Sequence, residues 1–390
     1  MTESADAVII GGGVIGASVA YHLAESGAGD IIVVERAERQ GMGSTGVATG
    51  GVRAQFATEI NIRMSLYSID FLSQFEEATG YASGYEPRGY LFIATNEEQL
   101  AALKKSYELQ RALGLKEVEL VTPVEIAARV PFLRVDDVTG GSFCQTDGFI
   151  KPLAVMRGFT GRAIERGARL WLGTEVVGIE TLRGRVTGVV TTRGKISTRV
   201  VVCCAGAWAA NVARLAGTTI PVEPLRRQLA SVRAREPLPA KLPMVIDISN
   251  GFHFRPDGNA PQTNILLAWP DPSEEYGFKT EYDTGFNAKI LAHARHRVPA
   301  WKNLGIDKQL CRAGLYEMTP DHHAIIGEAP EVNGLFVVGG FSGHGVMHSP
   351  AAGRMAAEMI LDGHAKFLDA KPLSAARFKG NALPHETSLI

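Results

Sequence analysis

The chain has 390 residues, 45% of them hydrophobic, and its 40 basic and 41 acidic side chains leave a formal charge of −1. That length exceeds one ordinary core and points to two intertwined domains; the even charge balance excludes an electrostatic case for nucleic acid or an anionic membrane, so a small-molecule partner is expected. Cys144, Cys203, Cys204 and Cys311 show no metal-ligand spacing, and no apolar run approaches the roughly 18 residues that would cross a bilayer, so no metal, no membrane span and a reducing, cytoplasmic setting are expected.

The apolar strand Ala7-Val8-Ile9-Ile10 begins too early to leave room for a signal peptide and runs into Gly11-Gly12-Gly13-Val14-Ile15-Gly16. Gly11 permits a tight turn, Gly13 lets backbone approach a pyrophosphate, and Gly16 lets the next helix, expected over 14–26 and closed by Gly27, pack on the sheet. The N-terminus of that helix offers free N–H groups and partial positive charge to a diphosphate. A second strand, 31–34, ends in Glu35, 24 residues after Gly11, where a carboxylate accepts hydrogen bonds from ribose hydroxyls. Strand, glycine loop, helix and terminal acid in this order mark a nucleotide cofactor.

The glycine- and hydroxyl-rich stretch 41–53 is too irregular for helix or strand and suits backbone passing close to a bulky ligand. Helices are expected over 59–79 and 97–113, with a strand at 89–94 between them. Segment 153–210 repeats the grammar of the opening: a helix over 153–166, a strand at 169–172, hairpin strands within 175–199, and a buried strand at 200–204 that enters the small-residue turn Ala205-Gly206-Ala207-Trp208. From 221 to about 310, short strands broken by Pro and Gly, clearest at 252–254 and 265–269, read as an antiparallel sheet inserted into the first fold. The buried strand 335–338 then meets Gly339-Gly340-Phe341-Ser342-Gly343-His344-Gly345, and a helix is expected over 350–361 with Ser349 as N-cap and Pro350 in its first turn. Residues from Lys366 onward lose apolar periodicity and are expected to wrap the surface or stay mobile. Three strand-to-glycine-to-helix junctions, at 11, 205 and 339, suit an extended cofactor such as FAD, with its diphosphate at Gly11 and its ring near the last helix.

Gly11 to Gly16, Gly43-Ser44-Thr45 leading to Gly50-Gly51-Val52-Arg53-Ala54-Gln55-Phe56, Ala205 to Trp208, Tyr316-Glu317-Met318-Thr319-Pro320-Asp321 and Gly340 to Gly345 together resemble the D-amino-acid oxidase superfamily of FAD enzymes. Within it they are similar to the branch of sarcosine oxidases, glycine oxidase and the β subunits of sarcosine oxidase and proline dehydrogenase complexes, over residues 5 to about 365. The resemblance implies an α/β (α+β) fold with a Rossmann-like FAD-binding domain of discontinuous segments (1–85, 145–220 and 311–365). An antiparallel-sheet substrate domain (86–144 and 221–310) is inserted into it, and a C-terminal tail follows at 366–390.

It further implies that Glu35 and Arg36 hold the adenosine ribose and Val176 the adenine region. Ser44 and Thr45 fall on the diphosphate side with Val14 and Ile15 at the helix start, Thr49, Gly50 and Gly51 on the ring, and Ala205, Gly206 and Trp208 on the opposite wall. Gly340, Gly343, Gly345 and the residues after them, His344, Val346 and Met347, approach the flavin pyrimidine. Gly314 stands where monomeric sarcosine oxidases attach FAD through a cysteine, and Cys311 lies too early to substitute, so FAD is expected to be non-covalent.

The implied reaction is oxidation of the C–N bond of an amino acid or N-substituted glycine, such as sarcosine or proline, to an imine by hydride transfer to flavin N5. Arg53 matches an arginine near the substrate carboxylate, Tyr316 an aromatic pocket position, His253 lies near a pocket tyrosine, and His344 lies at the flavin face; no general base is needed for a neutral amine. Met347 replaces a carboxylate-binding lysine, and the strand at 265–269 lacks the lysine that activates oxygen, so oxygen need not be the natural acceptor, and reoxidation of the flavin by oxygen or another acceptor stays open. Asp321-His322-His323 sits in a turn without a third ligand and is not expected to bind metal. Two alternatives stay open: a dehydrogenase subunit passing electrons to a partner or quinone, within a homo-oligomer or heteromeric complex, and a catalytically silent flavin-binding assembly protein.

Overall fold

The computed structural model describes residues 3–234, 237–257, 263–380 and 385–387. Strands Ala7–Ile10 and Ile31–Val34 are buried at every position, as befits parallel strands covered on both faces. They belong to a six-stranded sheet in the order Ile325–Glu328, Leu335–Gly339, Val201–Cys203, Ala7–Ile10, Ile31–Val34, Arg169–Trp171. Every neighbouring pair is parallel except the first.

Side-chain alternation sorts the two faces. Ile9, Ile31 and Val33 pack with Ala17, Ala20 and Leu23 of helix Val14–Glu25, with Phe159 of helix Pro152–Glu165 and with Met355 of helix Gly345–Asp362. Val8, Ile10, Ile32 and Val34 face the other way, onto Ile179, Val189 and Ile196 of the hairpin strands Val176–Leu182, Arg185–Thr191 and Gly194–Ser197.

A second sheet of eight strands runs in the order Arg312–Met318, Glu223–Arg233, Asn264–Ala268, His253–Asp257, Met244–Asp247, Tyr90–Ala94, Gly140–Cys144, Val118–Val121. It is antiparallel except where Met244–Asp247 runs parallel to Tyr90–Ala94. Strand Arg312–Met318, within the 311–365 range expected for the FAD-binding domain, is an edge of this second sheet and pairs with Glu223–Arg233. Helix Phe286–Arg297 covers one face through Ile290 and Ala294, which pack with Val232, Phe254 and Leu267. The fold class is therefore the expected one: a wound α/β sheet joined to a largely antiparallel sheet.

Two helices differ from expectation. The helix expected over 59–79 is two, Glu59–Ser73 and Phe75–Thr79, because the Ser73 hydroxyl donates to the Asp70 carbonyl at 2.7 Å and competes with the helical ladder. The last long helix runs Gly345–Asp362, so Ser349 is not its N-cap and Pro350 lies inside it. A proline there frees the carbonyl four residues back, and the Ser349 hydroxyl donates to that Val346 carbonyl at 2.9 Å. Ser349's own carbonyl accepts from Ser18 Oγ at 2.7 Å, tying this helix to Val14–Glu25.

The described part of the tail packs against the body. Leu373 is buried, Arg377 donates to the Asp321 carboxylate from Nε at 2.7 Å and Nη2 at 3.0 Å, and buried Glu386 accepts from Ala57 N, Thr58 Oγ1 and Asn61 Nδ2. Asp321 is thereby committed to an ion pair, and no cluster of metal-ligating side chains occurs among the described residues.

Candidate active site

The three strand-to-glycine junctions meet around one cavity of about 670 Å³, inside the roughly 300–1,000 Å³ typical of cofactor pockets. At one end, Gly11 has φ +106°, and a side chain there would place its Cβ 2.4 Å from the Cys204 carbonyl oxygen, so the first and second junctions touch only because Gly11 has none. Helix Val14–Glu25 opens onto this end with Gly13, Val14 and Ile15 at the wall; the Val14 N–H donates to Thr45 Oγ1 at 3.1 Å. Glu35 is held by backbone, its Oε2 accepting from Gly12 N at 2.8 Å and its Oε1 from Ala37 N at 2.9 Å, which leaves further lone pairs toward the cavity.

Arg36 also reaches the wall, but its guanidinium lies 3.9 Å from the centre of the Trp208 ring, which stacks on Phe278. Val176, Ala205 and Gly206 complete this half. Ser44, Thr49, Gly50 and Gly51 line the middle, with Ser44 Oγ donating to the Leu315 carbonyl at 2.7 Å.

The far end is built where strand Arg312–Met318 meets helix Gly345–Asp362. Gly314 and Tyr316 come from the strand, and Gly343, Gly345, Val346 and Met347 from the helix start, whose unpaired N–H groups carry partial positive charge. Gly343 has φ +101°, and a Cβ there would lie 2.4 Å from the Tyr316 ring. Ser342 just before it takes φ +50° without being glycine, a strained conformation held by its Oγ, which accepts from Thr319 N at 3.2 Å.

Five expected site residues do not reach the wall. Gly16 is a packing residue, since a Cβ would sit 1.9 Å from the Gly11 carbonyl oxygen. Gly340 turns the chain against Thr319. Arg53 is 1% exposed; it donates to the Gln55 carbonyl, contacts His344 Nε2 at 3.3 Å, and lies 3.9 Å from the Phe56 ring centre and 5.4 Å from that of Phe92. Burial lowers its pKa, an effect the nearby Glu386 and Asp147 carboxylates oppose only in part.

His344 is enclosed edge-on against Phe56, and burial together with Arg53 pushes its basicity well below that of an ordinary histidine. His253 is buried with Nδ1 2.9 Å from the Gly251 carbonyl, and burial lowers its pKa to about 4. Both rings are neutral at physiological pH.

Two wall residues escaped the sequence reading. Glu317 is half-buried, its Oε2 enclosed and lacking any hydrogen-bond partner among the described residues, and desolvation raises its pKa to about 7. Arg227 is partly buried with its Nε likewise unpartnered, and burial lowers its pKa. The signal for Arg227 was the alternation Leu225, Arg227, Leu229 along one strand, which tells the face only once the register is known.

One cavity with a helix N-terminus at each end, the Glu35 carboxylate near one of them and an unpartnered Glu317 oxygen on the wall suits an extended cofactor. Residues 6–359 match the family described as "FAD dependent oxidoreductase" (DAO). The chain is 32% identical to FAD-dependent oxidoreductase domain-containing protein 1 of Xenopus laevis, across 96% of this chain and 83% of that protein. It is 30% identical to mouse mitochondrial sarcosine dehydrogenase across 93% of this chain but only 40% of that protein. Its structure resembles that of L-proline dehydrogenase from P. horikoshii with a TM-score of 0.89 and 31% identity, covering 98% of this chain and 100% of that one.

The chain belongs to the DAO family of FAD-dependent oxidoreductases, and FAD is its cofactor. No described helix is long and apolar enough to cross a membrane.

Proposed function

We propose that this chain oxidises the C–N bond of an amino acid or N-substituted glycine to an imine. The observation that carries the reading is the far end of the cavity, where Tyr316, Met347 and the start of helix Gly345–Asp362 meet opposite the Gly11–Glu35 end. It is supported by relatives named sarcosine dehydrogenase and 4-methylaminobutanoate oxidase and by structures of L-proline dehydrogenase and glycine oxidase.

Bound FAD supplies the hydride acceptor. Gly13, Val14, Ile15 and Thr45 hold the diphosphate, Glu35 the adenosine ribose, Val176 the adenine side, and Thr49 to Gly51 the approach to the ring. The N–H groups of Gly345, Val346 and Met347, free at the helix start, would stabilise negative charge placed against them. Burial raises the Tyr316 pKa, so its hydroxyl stays protonated and positions substrate without acting as a base.

His253 and His344, neutral and walled off, take no proton in this scheme; the amine binds in its neutral form. FAD is held without a covalent link: the cysteine at the wall, Cys204, lies at the Gly11 end, and burial holds its thiol well above its ordinary range. The six-stranded sheet carries the cofactor and the eight-stranded sheet the substrate.

Transfer of electrons to a partner or quinone is favoured over oxygen by a cavity wall that holds no lysine among the described residues. The test is product formation with an artificial electron-accepting dye, reading the aldehyde, ketone or cyclic imine released from a panel of amino acids and N-alkyl glycines. Carbonyl or imine product in step with dye reduction is expected; dye reduction by no member of the panel refutes the reading.

A further inference from the structure

A carboxylate-bearing substrate needs a cation inside the cavity, and the arginine expected to provide it, Arg53, is occupied elsewhere: its guanidinium is spent on the Gln55 carbonyl, His344 and two phenylalanine rings, off the cavity wall. We infer that Arg227 is the residue that binds the substrate carboxylate, an assignment that rests on the amine-oxidation reading above.

Strand geometry aims it there. Successive side chains on Glu223–Arg233 alternate: Arg226 turns away to pair with Glu274 at 2.8 Å and Gln228 accepts the Asp283 N–H at 2.6 Å, while Arg227 and Leu229 face the cavity. On the neighbouring strand Arg227 stands opposite Gly314, which places no side chain beside it, and its guanidinium carbon is 5.6 Å from the centre of the Tyr316 ring.

Chemistry completes the argument. Arg227 has one hydrogen bond among the described residues, a long one of 3.4 Å from Nη1 to the Arg226 carbonyl; its Nε is enclosed without a partner, and no described carboxylate forms an ion pair with it. A partly buried guanidinium without a counter-charge is an incomplete pair, and a planar carboxylate held by two parallel N–H donors is the group whose geometry completes it. Leu229, Tyr316 and Met347 around it supply apolar surface for the rest of such a ligand.

The experiment uses the FAD-loaded protein and two non-oxidisable probes of one shape, cyclopentanecarboxylate and cyclopentanecarboxamide, each titrated while the flavin absorption band is followed. The wild type is expected to bind the carboxylate at least about 10-fold more tightly than the amide, and R227M to lose that preference while retaining its flavin. R227K, which keeps the charge and loses the fork, is expected to weaken carboxylate binding several-fold, and it carries the test should R227M not fold.

An unchanged preference in either variant, no preference in the wild type, or loss of flavin with the preference intact in the remaining holoprotein would each overturn the assignment. Because neither probe turns over, the result is independent of whether any amine is oxidised: product assays that fail while the Arg227-dependent preference holds sink the reaction, not the carboxylate site.

Discussion

Arg53 donates to the Gln55 carbonyl and lies between His344 and the rings of Phe56 and Phe92. Enclosed at 1% exposure and supported by neighbouring carboxylates, it is a structural ion whose removal leaves those charges stranded. Arg53→Ala is expected to cost about 3–5 kcal/mol in denaturant unfolding, and a loss under about 1 kcal/mol would contradict this placement. Nothing in the order of residues around 50–56 separates a buried arginine from a ligand-binding one, since the distinction depends on Phe92, His344 and Glu386, which come from distant parts of the chain.

Glu317 is the converse: it sits in the motif that carries the family resemblance, but its unpartnered oxygen appears only when Gly339 and Gly206 are folded against it. Its raised pKa means that burial favours the neutral acid. Its contribution to stability is intact below its ordinary pKa and is lost as pH rises through about 7, where ionisation in the cavity becomes costly. Flavin-free Glu317→Gln should therefore gain stability relative to the wild type between pH 6 and about 8, while the two differ least near pH 5; parallel melting curves across that range would show that Glu317 does not titrate there. Asp147, raised to about 7 by the same cause, keeps part of the pH dependence in both proteins.

At the level of elements, the glycine junctions were legible because a strand that ends in glycine and restarts as a helix has few other ways to fold. The helix Gly345–Asp362 was legible from residue 350 onward but not in its first turn. A proline is most at home in a first turn, and the preference hides the case in which a neighbouring hydroxyl takes the freed carbonyl, as Ser349 does for Val346. Ser349→Ala leaves that part-buried carbonyl without its partner and is expected to cost about 1 kcal/mol, with exchange protection lost first at residues 345–350. Full stability in this variant would mean that the helix tolerates Pro350 unaided. The strand Glu223–Arg233 illustrates a different limit: its two adjacent arginines face opposite sides, and which of them meets the cavity follows from pairing with Arg312–Met318, a partner far along the chain.

At the level of the whole molecule, the two sheets and the cavity between them follow from a chain that leaves the wound sheet and returns to it. The parallel strands and their glycine turns place the cofactor end; the eight-stranded sheet brings Arg227 and Tyr316 to the other. In the proposed reaction electrons pass from an amine held in that second end to the flavin, a transfer read from the visible absorbance of the FAD-loaded protein mixed anaerobically with amino acids and N-alkyl glycines. Bleaching of the oxidised flavin band by at least one member of the panel is expected, with slow or no recovery when oxygen is admitted. A yellow protein that no such amine bleaches, though dithionite does, would contradict it.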